Sequence, residues 1–130
     1  MTGGQKDLIR YRMKRASETL EEARLMFESG HFCGAANRIY YACFYATVAL
    51  LLTRNLSSRK HSGAVALFNR HFVKEGVVSI DLGKFYSRMF DNRLESDYGH
   101  LVTIERDDIK ADLEKAEEFI TKIKALLELV

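Results

Sequence analysis

Proline is absent from all 130 residues. With no pyrrolidine ring to remove a backbone N–H or clash with the preceding turn, long uninterrupted helices are the default expectation. Tryptophan is also absent, and there are only two cysteines. Cys33 and Cys43 fall in what reads as one helix, roughly 15 Å apart along its axis, too far to bridge each other. Unpaired thiols without a charged-then-apolar leader point to a reducing cytoplasm. Net charge is scarce as well. A formal +2 does not by itself argue for nucleic-acid binding, so any basic site must be local. Nor is there a long hydrophobic run. The longest, IYYACFYATVALLL from Ile39 to Leu52, falls short of the roughly 20 residues a membrane helix needs, and it reads as a buried helix.

Several chemistries lack their residues. No Cys or His spacing fits a zinc site, no glycine-rich phosphate loop follows a strand, and no nucleophile motif appears. Glu28 and His31 have the E-x-x-H spacing of di-iron bundles, but Ser29 and Gly30 break the helix between them and no second copy follows. No metal or other cofactor is expected.

What is present suits a globular protein: 47% of residues are hydrophobic and 29% charged. The length fits one domain spanning residues 1–130. Ile9, Met13, Ala16, Leu20, Ala23 and Phe27 alternate steps of four and three, the seam of a helix packed along a neighbour. Ile109, Leu113, Ala116, Ile120, Ile123, Leu127 and Val130 repeat the pattern near the end. Asp107 and Asp108 stand where a helix N-terminus favours negative charge. These first and last helices are candidate antiparallel partners.

Between them, a helix from Phe32 to about Thr53 is apolar nearly all round. Tyr41, Tyr45, Val48 and Leu52 lie off the stripe of Ala36, Ile39, Cys43, Thr47 and Leu50, so the helix needs cover on both sides. Either a second copy supplies it, making a homodimer, or the helix is fully central in a monomer. A shorter helix from about Ser62 to Glu75 should close with Gly76 as a left-handed cap. Ser79 can cap a fourth, about Ile80 to Tyr98. The sum is an all-α, up-and-down bundle of four to five helices.

The polar residues that interrupt these stripes are the candidate site. Leu82, Phe85, Tyr86, Met89 and Phe90 form an apolar stripe whose next members are Arg93 and Asp97. A guanidinium there is costly to desolvate without a partner or a function. His100 follows two turns after Arg93, roughly 10 Å along the axis. A histidine that exchanges protons near neutral pH, with an arginine to hold a phosphate, suits RNA cleavage at a 2′-hydroxyl; an ion pair of Arg93 with Asp97 is the structural alternative. Arg59, Lys60, His61 and Ser62 precede a helix whose free N–H groups suit a phosphate or nucleotide, or else form a solvated basic loop capped by Ser62. Asn37 and Arg38, in the most apolar helix, either line the same polar site as Arg93 or mark that helix's solvent edge. The basic run from Lys6 to Arg15 reads as a solvated helix face, with RNA contact as the lesser alternative.

Three ordered stretches, NRIYYACFYA (37–46), KHSGAVALFNRHFVKEG (60–76) and RLESDY (93–98), resemble the small HEPN proteins, named for higher eukaryotes and prokaryotes nucleotide-binding. The resemblance implies a helical bundle, usually dimeric, often encoded beside a minimal nucleotidyltransferase as a toxin–antitoxin pair. Catalytic members are metal-independent ribonucleases with an arginine, four to six residues, then a histidine. Arg93 and His100 match with six, His100 then acting as acid or base. Leu94 stands where catalytic members carry a polar residue, and Tyr98 precedes the histidine, whereas the tyrosine modified by a partner nucleotidyltransferase follows it. The resemblance therefore implies a nucleotide- or RNA-binding module at Arg93, Asp97, Tyr98, Lys60, His61, Ser62, Asn37 and Arg38. The alternatives are a ribonuclease toxin using Arg93 and His100, or a non-catalytic adaptor that assembles subunits.

Overall fold

The computed structural model describes residues 2–97 and 105–128. Its elements are α1 (Gly3–Glu28), α2 (Phe32–Leu52), α3 (His61–Phe68), a π-helical turn (Asn69–Val73), α4 (Ile80–Asp97) and α5 (Arg106–Glu128). The described residues contain no strand, and the fold is an all-α bundle.

Helix α1 starts at a capping box, in which Thr2 Oγ1 accepts from the Gln5 backbone and the Gln5 side chain accepts from Thr2 N. Ile9, Ala16, Leu20 and Ala23 of its seam are buried, while Met13 and Phe27 pack at the core's edge. The register with α2 is antiparallel. Gln5 bonds Asn55, Arg15 lies over the Tyr45 ring, and Glu22 pairs with Arg38, so the partner number falls as the α1 number rises. Helix α5 also runs antiparallel to α1: Arg106 lies over Phe27, and Arg24 pairs with Glu117 at 3.1 Å.

The neighbours of α2 decide how it is read. Ala35, Ile39, Tyr40, Ala42, Cys43, Ala46, Thr47, Ala49, Leu50 and Leu51 are buried against α1, α4 and α5. Its 21 residues make it the one described helix long and apolar enough, by length and composition alone, to cross a membrane. More than half of that span is packed inside the bundle, as expected of a core helix. Tyr41, Phe44, Tyr45, Val48 and Leu52 remain half-buried. At steps of three and four they form one face that no described residue fully covers.

The expected helix over residues 62–75 begins one residue earlier and does not stay α-helical. After Phe68 the backbone widens into the π turn, where Lys74 N donates to Asn69 O at 2.8 Å. Arg54 holds this turn from outside. It donates to His71 O at 2.7 Å, pairs with Glu75 and covers the Phe72 ring at 4.2 Å. Gly76 then takes the left-handed conformation, with φ 78°. Ser79 Oγ accepts from Leu82 N at the start of α4.

Candidate nucleotide-phosphate site

Two adjacent tyrosines of α2 form the floor of the site. Tyr40 is 1% exposed, and Tyr41 is half-buried one residue on. Helix α4 brings Leu82, Phe85, Tyr86 and Met89 into the core, so one turn further on Arg93 emerges beside the tyrosines. Its guanidinium lies 5.3 Å from the Tyr40 ring centre and 5.5 Å from that of Tyr41. Such cation–π contacts hold a guanidinium in place over the rings.

His61, the first residue of α3, reaches the same rings. Its Nδ1 is 2.7 Å from the Tyr40 hydroxyl. The imidazole stacks on Phe44 at 4.2 Å and meets Tyr41 edge-on at 5.8 Å. Burial, and then the charge of Arg93, lower the His61 pKa from its ordinary value, so the neutral ring is favoured. Burial also pushes the Tyr40 hydroxyl far above its usual range, with Arg93 opposing, so the phenol keeps its proton.

The loop before α3 is held close to that helix. Ser58 Oγ accepts from Lys60 N and donates to Lys60 O, and a Cβ at Gly63 would overlap the Ser58 side chain. Glycine at this place lets the loop lie against the helix start. Lys60 is the N-cap residue but provides no side-chain cap, and its side chain is exposed. Ser62 lies inside the helix and is exposed rather than capping it.

Arg38 reaches Tyr41 from the α1 side, 5.2 Å from its ring centre. Both Nε and Nη2 donate to Asn37 Oδ1, at 3.1 and 2.8 Å, and Glu22 lies 4.0 Å away. Arg38 therefore shares one ring with Arg93 and is tied to Asn37 and α1. The structure thus brings Arg93, His61 and Arg38 around two tyrosines, with Lys60 and Ser62 beside His61. Asp97 is described only as the last backbone position of α4. Tyr98 and His100 lie outside the described residues.

A family model for the HEPN domain matches residues 9–126. The chain belongs to the HEPN domain family. This HEPN domain is 49% identical over 121 residues to a Thermotoga maritima protein named UPF0332 protein, covering 93% of this chain and 92% of that one. Two proteins of Methanocaldococcus jannaschii, both named "Putative toxin", are 34% and 30% identical to it. The first match covers 86% of this chain and 83% of the relative, the second 88% and 78%.

Reading the sequence of this HEPN domain missed Tyr40, Tyr41 and Phe44 as site residues, although the stretch NRIYYACFYA contains all three. Helical spacing was the available signal. Tyr40 and Phe44 lie one turn apart on a helix whose polar residues, Asn37 and Arg38, sit one turn earlier.

Proposed function

We propose that this protein binds the phosphate of a nucleotide or an RNA at the Arg93–His61 site, as a homodimer of single HEPN domains spanning residues 1–130. We further propose that it acts in the cytoplasm as one component of a toxin–antitoxin pair with a minimal nucleotidyltransferase. One observation carries the phosphate reading: Arg93 from α4 and His61 from α3 meet on the same two rings, Tyr40 and Tyr41. A fixed guanidinium beside an imidazole and a helix N-terminus concentrates N–H donors where an oxyanion is stabilised. The half-buried face of Tyr41, Phe44, Tyr45, Val48 and Leu52 supports the homodimer. The toxin names of two relatives support the pairing with an antitoxin.

Titration with radiolabelled ATP and with a short single-stranded RNA at low salt tests the site. Arg93→Ala should weaken binding about tenfold or more, the scale of a hydrogen bond to a charged group. Lys60→Ala should weaken it less and reduce its salt dependence. Binding that is indifferent to Arg93 refutes the site. No binding of either ligand leaves the assembly role alone.

The same toxin names favour a second reading, a metal-independent ribonuclease using Arg93 and His100. Cleavage of RNA in chelator, abolished by Arg93→Ala and by His100→Ala in variants that stay folded, would establish it.

A further inference from the structure

A phenol is both donor and acceptor, and a neutral imidazole carries its proton on either nitrogen. Two arrangements therefore satisfy the 2.7 Å between the Tyr40 hydroxyl and His61 Nδ1. In the first, Tyr40 donates to a bare Nδ1 and the ring proton sits on Nε2. In the second, Nδ1–H donates to the phenol oxygen, and the phenol proton must go elsewhere. Among the described residues, the hydroxyl's hydrogen bond is the one to Nδ1. Tyr40 is 1% exposed, so in the second arrangement its proton would lose water without gaining an acceptor among the described residues. Arg93, on the same ring, offers only donors. The first arrangement wins.

We propose that Tyr40 is a positioning residue: it donates to Nδ1, holds His61 as the Nε2–H tautomer, and makes His61 a neutral hydrogen-bond donor to a phosphate oxygen rather than a proton acceptor. The role assigned to Nε2 rests on the phosphate reading above. Nε2 lies on the side of the ring away from Tyr40. With the guanidinium of Arg93 and the N–H groups in the first turn of α3, it adds a neutral donor to the groups gathered at the two tyrosines. Such a set suits an oxyanion. Taking a proton from a hydroxyl would need a bare Nε2, so acid–base work in any RNA cleavage falls to another residue.

Nitrogen-15 NMR of the histidines in the ligand-free full chain tests the tautomer without any ligand. At about pH 8, where a histidine is ordinarily neutral, the His61 signals should show protonated Nε2 and bare Nδ1. Tyr40→Phe keeps the ring and its stacking but removes the hydroxyl. Among the described residues, the titratable and charged groups around His61 are Tyr40 and Tyr41 from α2, Arg93 from α4 and Lys60 before it. All but the Tyr40 hydroxyl are unchanged in this variant. Protonating Nδ1 in the wild type must displace the bond donated by Tyr40, so His61 should titrate at higher pH in Tyr40→Phe. Were Tyr40 the acceptor, its loss would withdraw a partner from the imidazolium and the titration would move down. An Nδ1–H signature in the wild type, or a downward or absent shift in the variant, overturns the proposal.

Inorganic phosphate then distinguishes donor from base. His61→Gln keeps a side-chain N–H and should hold phosphate within about threefold of wild type, whereas His61→Ala should lose about tenfold. Equal losses in the two variants overturn the donor role. Absence of phosphate binding by the wild type overturns that role and the phosphate reading together. An inverted titration with phosphate binding intact overturns the tautomer and the donor role with it, and leaves the phosphate reading standing.

Discussion

Gly83→Ala is a direct test of the spacing between α4 and the segment that follows α3, on which the meeting of Arg93 and His61 depends. A Cβ at Gly83 would stand 2.8 Å from Cγ2 and 3.1 Å from Cγ1 of Val73, and 3.2 Å from Oδ1 of Asn69. Carbon pairs are comfortable at about 3.5–4.0 Å, so the overlap is roughly 0.7 Å. Val73 is branched at Cβ and cannot swing both methyls away. Overpacking of this kind costs about 1–3 kcal/mol. Replacing a glycine inside a helix by alanine offsets about 1 kcal/mol of that. The variant should therefore be destabilised by about 0–2 kcal/mol, where an unobstructed site would gain about 1. Val73→Ala removes both γ carbons, so the double variant should recover a coupling energy of about 1–3 kcal/mol. Urea unfolding of the four proteins measures this as shifts in midpoint at constant slope. Phosphate affinity should drop in Gly83→Ala and return in the double variant. Simple additivity, or a Gly83→Ala protein about 1 kcal/mol more stable than wild type, would refute the close approach.

Two other outcomes follow from the site and its surroundings. Because the folded state lowers the proton affinity of His61, the unfolded chain binds more protons once pH falls through the ordinary histidine value of 6.5. Stability should decline on acidification from there toward the lower folded value, and less steeply in His61→Gln; identical slopes in urea titrations of the two proteins would contradict the shift. Under the homodimer reading, Val48→Asp places a charge on the half-buried face of α2 and removes an apolar side chain worth about 1.5–3 kcal/mol on full burial. Sedimentation at micromolar protein should show association weakened about tenfold or more, while helicity is kept; unchanged association would place the contact elsewhere.

The helices were legible because a seam of steps three and four can be read one segment at a time. Ile9 to Phe27 predicts α1 without knowing its partner, while the capping box of Thr2 and Gln5 that starts the helix came from the structure. The π turn at Asn69–Val73 has no comparable signal. Its composition continues α3, and one of its carbonyls, that of His71, is taken by Arg54 from just past the end of α2, a contact that no local pattern encodes. The site divides the same way. Arg93 stood out because a cation continuing an apolar stripe demands an explanation, and His61 because basic residues precede a helix. Their meeting depends on the register of α3 and α4 against α2, which packing sets. Tyr40 carried the missing clue. A buried tyrosine hydroxyl usually finds a polar partner, and for Tyr40 that partner is His61 in the first turn of α3. Buried hydroxyls on apolar helices are therefore where a sequence reading should look for the second half of a polar site, ahead of the charged residues that advertise the first.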